Sequence, residues 1–260
     1  MNGELVIYTK ENGVVKIVMN SPKTMNALVE GLVDGLISSL TKAKQDQEVG
    51  AVILTGTGKA FCAGGDLKTI GEGFVTSGGY DYIKNFHKLV KLLYNLPKPL
   101  IAAVNGHAAG AGFCIALLAD IILASENAKF AMSFAKVAVI PDLGGLYTLP
   151  RLVGLQKAKE LVFTGRTVDA VEAEKIGIVN RVIAADALND ETNKLAAELA
   201  AGPRIAHKFS KAVMNTSLGL TMDQLLEQEA LSQEICFQTE DHKNAVKSFF
   251  KKETPVFKGK

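Results

Sequence analysis

Two glycine-rich loops constrain this chain more than any other feature of its sequence. Phe61-Cys62-Ala63-Gly64-Gly65-Asp66-Leu67 and Gly106-His107-Ala108-Ala109-Gly110-Ala111-Gly112 each follow an apolar, strand-like run and lead towards a helical pattern. Loops of this kind present bare backbone N–H groups, because little or no side chain stands in the way. A helix start adds unsatisfied N–H groups and a partial positive charge. Two such loops aimed at one point bind a carbonyl oxygen more tightly as it becomes an enolate. One loop alone reads equally well as an ordinary strand-to-helix turn. Two of them, about forty residues apart, point to a shared purpose.

The surrounding pattern alternates strand and helix. Residues 4–8 and 14–20 read as strands around a Glu11-Asn12-Gly13 turn, and 26–47 carries apolar residues at helical spacing. Ala51–Thr55, Leu100–Val104, Ile121–Ala124 and Lys129–Met132 read as further strands. Helices are expected at 82–96, stopped by Pro97 and Pro99, and at 109–118 after the second loop. Residues 71–81, rich in Gly, Ser and Thr, predict a mobile segment. Such alternation implies an α/β core with largely parallel strands. Beyond about residue 145 the pattern is mostly helical, broken by 178–182. Helices near 184–200, 204–217, 221–236 and 240–251 have little sheet to cover, so a subunit interface is expected there.

Several function classes drop out. The 48% hydrophobic and 22% charged residues suit a soluble globular protein, and a net charge of +2 is too mild to argue for nucleic acid. No apolar stretch reaches the length of a membrane span. The start, Met1-Asn2-Gly3-Glu4, carries no signal pattern, and Cys62, Cys114 and Cys236 form neither a disulfide framework nor a zinc site. A cytoplasmic protein without metal is the expectation. Gly110-Ala111-Gly112 lacks the third glycine of a dinucleotide fingerprint, and Gly56-Thr57-Gly58-Lys59 lacks the spacing of a P-loop.

Asn26-Ala27-Leu28, Gly58 through Leu67, Pro99 to Gly112, Ala119-Asp120, Ala128-Lys129-Phe130, Ile140 to Gly145, Leu149 to Gly154, Gly165-Arg166 to Ala173 and Gly177-Ile178-Val179 together carry a resemblance to the enoyl-CoA hydratase/isomerase (crotonase) superfamily. It covers nearly the whole chain. The resemblance implies a crotonase-like spiral of ββα units, residues 1–200, with a C-terminal helical oligomerisation region, 201–260. It implies a homotrimer or homohexamer, acyl-CoA thioesters as substrates, and no cofactor beyond the coenzyme A of the substrate itself. It assigns the oxyanion-hole amides to Gly65 and Ala111.

Acidic residues decide the branch. Hydratases of this family use two glutamates, and this chain has Cys114 and Phe134 at their positions. Adding water needs one group to activate it and another to protonate the α-carbon. The acid that remains is Asp142, in a run that looks most like the 1,2-epoxyphenylacetyl-CoA isomerase branch of phenylacetate catabolism. Asp is also a favoured helix N-cap, so Asp142 has a bland reading as the cap of a helix starting near Leu143. The functional readings are an isomerase with Asp142 as base, a hydratase-type lyase, a hydrolase or dehalogenase with Asp142 as nucleophile, and a non-enzymatic binding protein. For coenzyme A the resemblance points to Lys23, Asn26, Lys59, Lys68, the backbone at Ala63 and Gly65, and, from a neighbouring subunit, Phe257 and Lys260. Asp66 reads as a loop-fixing residue and His107 as structural. Cys62 and Cys114 read as small buried residues, and Met132 and Phe134 as pocket lining or core.

Overall fold

The computed structural model describes residues 4–66, 71, 73 and 78–260. It opens with the hairpin β1 (Val6–Glu11) and β2 (Val14–Met19), where Asn12 and Gly13 turn at φ 47° and 77°. Two successive left-handed residues match the twist of a two-residue hairpin. On β2, Val15, Ile17 and Met19 point into the core and alternate with less buried neighbours.

Parallel strands then extend the sheet. β3 (Ala51–Gly56), β5 (Leu100–Val104), β7 (Ile121–Ser125) and β10 (Arg181–Ile183) give the order β1-β2-β3-β5-β7-β10. β5 is buried along its whole length, as a strand covered on both faces must be. A second sheet holds β4 (Ala60–Cys62), β6 (His107–Ala109), β8 (Lys129–Ala131) and β9 (Thr167–Asp169) in the order β4-β6-β8-β9. Each of β3, β5 and β7 thus hands the chain to a short strand in the second sheet. After β5 and β6 comes α3 (Ala111–Ala116), completing one ββα turn of the spiral.

The helices differ from the sequence reading at their ends. α1 (Glu30–Gln45) starts four residues later than expected. A 3-10 turn over Pro22–Thr24 and left-handed Met25 and Asn26 occupy the approach, and Leu28 bridges to Gly65. α2 (Gly78–Tyr94) starts earlier than the expected 82 and buries Phe86, Leu89 and Leu93. Of the segment expected to be mobile, 71–81, residues 72 and 74–77 lie outside the described residues, and 78–81 belong to α2.

α4 (Gly145–Val153), α5 (Leu155–Thr164) and α6 (Ala170–Lys175) follow, then α7 (Leu188–Ala200), α8 (Arg204–Ser217), α9 (Met222–Gln238) and α10 (Glu240–Lys251). The helix near 184–200 does have sheet to cover, contrary to the expectation. Leu188 and Ala196 of α7 pack on Ala51, Ile53, Ile101, Ala103 and Leu123. α8 is pinned to the spiral by Lys211 Nζ on Asp120 Oδ2 at 2.6 Å. Tyr94 and Asn215 add a reciprocal pair of hydrogen bonds at 3.0 and 2.8 Å. Burial raises the Asp120 pKa and lowers that of Lys211, outweighing their mutual attraction. Among the described residues no helix is long and apolar enough to cross a membrane.

Candidate active site

The two glycine loops meet. β4 pairs with β6 in parallel, so the ends of both strands deliver their loops side by side. Gly64, at φ 102°, lies so close to the second loop that a methyl group on it would stand 2.7 Å from the Ala109 carbonyl oxygen and 3.3 Å from the Ala111 nitrogen. A methyl on Gly112 would overlap the Cys62 carbonyl. Only glycine permits this approach.

Leu28 N–H donates to Gly64 O at 2.8 Å, fixing the first loop from the α1 side. In a parallel bridge of that register the flanking residues make the bonds, which turns the amide of Gly65 away from Leu28. The amide of Ala111 opens α3, where the first turn of a helix has no intrahelical acceptor. Gly65 and Ala111 therefore stand on adjoining backbone.

Asp142 sits in the loop between a 3-10 turn over Ser133–Val137 and α4. The N-cap of α4 is Gly144, and no side chain caps it, so Asp142 is not the helix cap. Instead its carbonyl accepts Gly145 N–H at 2.8 Å, and its Oδ1 is buried without a hydrogen-bond partner. Burial pushes the carboxyl from 3.8 up to about 6, against a small opposing pull from its own backbone amide. Leu143, at φ 45°, pays in backbone strain for this turn.

Cys114 lies beneath the same turn. A methyl on Gly145 would stand 2.5 Å from its Sγ, and the thiol reaches Met132 Sδ at 3.8 Å. Burial pushes the Cys114 thiol well up, and the charge of Asp142 adds to it. Cys62 is likewise pushed up, to about 12, by burial. Neither is a thiolate at neutral pH. Phe134 is buried, its ring 3.9 Å from the place of a methyl on Gly110. Tyr82 of α2, edge-on to Phe86 at 5.2 Å, completes the surroundings. Burial first, then Asp66 and Asp142, hold its phenol protonated. No motif in the sequence singles out Tyr82; only its place on the inward face of α2 brings it here.

The expected coenzyme A contacts divide. Gly58 lies against Pro22, a methyl on it being 3.0 Å from the Pro22 Cβ, so exposed Lys23 and Lys59 share one edge. Asn26 is not available to a ligand through its side chain. It is buried, its Oδ1 accepts Ser21 N–H at 2.8 Å, and its Nδ2 serves the carbonyls of Thr57, Ala60 and Phe61 at 3.0, 2.8 and 3.2 Å. Asn26 clamps the loops instead. The amide of Ala63 is committed to Met25 O at 2.9 Å, which leaves its carbonyl to offer. Lys68 lies outside the described residues. His107 is an exposed strand residue whose amide bonds Lys59 O.

Phe257 and Lys260 are held by the C-terminal helices. The buried Asp241 carboxylate accepts the amides of Lys258 and Gly259 at 2.6 and 2.8 Å, and its own amide donates to Lys260 O. Phe257 lines a groove of about 930 Å³ between α8, α9 and α10.

Residues 9–260 match the enoyl-CoA hydratase/isomerase family. The chain belongs to that family. It is 34% identical to the 1,2-epoxyphenylacetyl-CoA isomerase of Escherichia coli, over 99% of both chains. It is 38% identical to a probable enoyl-CoA hydratase of Rhizobium meliloti, again over 99% of both. The crystal structure of an enoyl-CoA hydratase from Bacillus anthracis superposes with a TM-score of 0.94 at 32% identity, covering 98% of this chain and all of that one. The spiral of ββα turns is thus the crotonase fold. The two relatives' names divide between isomerase and hydratase.

Proposed function

We propose that this family member is an acyl-CoA isomerase in which Asp142 is the single proton carrier. The observation that carries the reading is the buried, unpartnered Oδ1 of Asp142, whose charge is felt by the Cys114 thiol and the Tyr82 phenol. A carboxyl near 6 is mostly ionised at neutral pH yet still basic, which suits a group that must take and return a proton. Asp142 removes a proton from C2 of a 3-enoyl thioester. The amides of Gly65 and Ala111 hold the dienolate oxygen as negative charge reaches it. The same carboxyl returns the proton at C4, and the double bond lies between C2 and C3.

Hydration is the second reading, favoured by the name of the Rhizobium meliloti relative. Against it stand Cys114 and Phe134, which offer a buried thiol and a ring where two carboxylates are needed. An epoxide on the acyl group, as in the name of the Escherichia coli relative, is a substrate the isomerase reading accommodates. We place Lys23, Lys59 and Lys68 at the coenzyme A phosphates and the enzyme in the cytoplasm. α8 to α10 form its oligomerisation layer as a trimer or hexamer, since Met214, Leu218, Met222, Phe249 and Phe250 are all exposed.

The test is conversion of a 3-enoyl-CoA to its 2-enoyl isomer, followed by the absorbance of the conjugated thioester. D142N should bind acyl-CoA and lose about 10²–10⁴-fold in turnover. Turnover within a few-fold of the unaltered enzyme removes Asp142 as the base.

A further inference from the structure

The segment that follows α10 returns along it. Lys252, at φ 58°, turns the chain at the end of the helix. Beyond it Pro255, Phe257 and Gly259 are half-buried while Val256, Lys258 and Lys260 are exposed, the alternation of an extended strip with one face inward. A helix of 12 residues is about 18 Å long, a distance that about six extended residues cover. The strip therefore ends at Asp241, in the first turn of α10. Asp241 is only 4% exposed, and it does not cap its own helix, since Thr239 Oγ1 accepts His242 N–H at 3.0 Å. Its two carboxylate oxygens accept the amides of Lys258 and Gly259, and its own amide donates to Lys260 O at 3.1 Å. Arg204 of α8 closes the other side. One guanidinium nitrogen donates to Lys258 O at 3.2 Å, and a second donates to Gln47 O at 2.8 Å, between α1 and β3. Gly259, at φ 72°, lies so near that guanidinium that a methyl on it would stand 2.9 Å from Nε.

We infer that Asp241 and Arg204 form a binding site for the backbone of residues 258–260, and that this strap holds α9 and α10 in the shape from which the chain assembles. The inference rests on the reading of α8 to α10 as an oligomerisation layer. α9 buries none of its own residues, so α8, α10 and Phe257 in the groove between them must hold it. The site recognises main chain. Two oxygens of one carboxylate take two successive amides, and the position of the second admits only glycine without strain. Through Arg204 and Gln47 the same strap ties the helical layer to the spiral. Once the strap is released, a buried carboxylate is left without its donors, and the helices it fastens loosen. The spiral, which has its own core, does not.

The experiment compares the full chain with D241N, G259A and the double variant by amide hydrogen exchange and by light scattering over a range of concentrations. D241N turns one acceptor into a donor facing an amide; G259A alters only the strap, so it serves even where D241N folds poorly. Each should speed exchange of residues 252–260 and of α9 and α10 by about tenfold or more, with β3 and β5 unchanged. Each should also raise the concentration at which the assembly dissociates by about tenfold. The double variant should be little worse than the weaker single, because both release one strap. Exchange of 252–260 as slow in D241N and G259A as in the unaltered chain overturns the binding site. Faster exchange with unchanged dissociation overturns the role of the strap in assembly and leaves the oligomerisation reading standing. An unaltered chain that is monomeric at micromolar concentration overturns the oligomerisation reading itself, and the role in assembly with it.

Discussion

Asn in place of Asp142 should make this protein more stable at neutral pH, not less. The carboxyl is held near 6 in the folded chain against 3.8 as its ordinary value, and the cause is burial. Well below pH 3.8 the group is protonated folded and unfolded, and it costs nothing. Between about 3.8 and 6 the unfolded chain gives up the proton while the folded chain holds it, and stability is lost across that window. Above both values the loss is about 3 kcal/mol. Asn removes the charge but brings its own polar atoms, which return about 1–2 kcal/mol. The net gain at pH 8 is about 1–2 kcal/mol, or a rise in melting temperature of about 2–6 °C. Melting curves of both proteins from pH 4 to 8 measure it. The difference should be largest and level above about pH 6, shrink between pH 6 and 4, and vanish or reverse below about pH 4. A lower melting temperature for D142N at pH 8, or a difference independent of pH, would refute the reasoning and return Asp142 to a structural role.

Two further substitutions probe how the site is held. G145A puts a methyl 2.5 Å from Cys114 Sγ and should cost about 1–3 kcal/mol, with lower turnover because the Asp142 turn shifts. The G145A/C114A pair should recover most of that loss, and a double-mutant cycle of thermal unfolding reads the coupling. K211M leaves Asp120 buried without its cation and should cost about 3–5 kcal/mol by denaturant unfolding, while K211M/D120N costs less than K211M alone.

The glycine loops were the most legible part of the sequence because their chemistry is backbone chemistry. Gly64 and Gly112 stand where a methyl would collide with the neighbouring loop, and that requirement is written in residue type alone. The long strands were legible for the same kind of reason, since β3 and β5 are unbroken apolar runs. The short strands β4, β6 and β9 were not, because three residues hold no period. The late start of α1 follows from left-handed Met25 and Asn26, which helical spacing from residue 26 conceals. Asn26 itself illustrates the limit of a motif. The resemblance marks its position, and only the structure gives its side chain to four backbone groups. Asp142 was visible as the remaining acid, but its burial and its orphaned oxygen are set by the tertiary fold, which brings its charge within reach of Tyr82 and Cys114, sixty and twenty-eight positions away.

The most direct test sets two reactions of the unaltered enzyme side by side under saturating thioester at pH 7.5. One is isomerisation of a 3-enoyl-CoA to the 2-enoyl product; the other is hydration of crotonyl-CoA to 3-hydroxybutyryl-CoA. One buried carboxylate with a thiol and a ring beside it predicts isomerisation at least about 10²-fold faster than hydration, the contribution of a missing acid–base group. Hydration at about 10 per second or more, with isomerisation slower, would contradict the account.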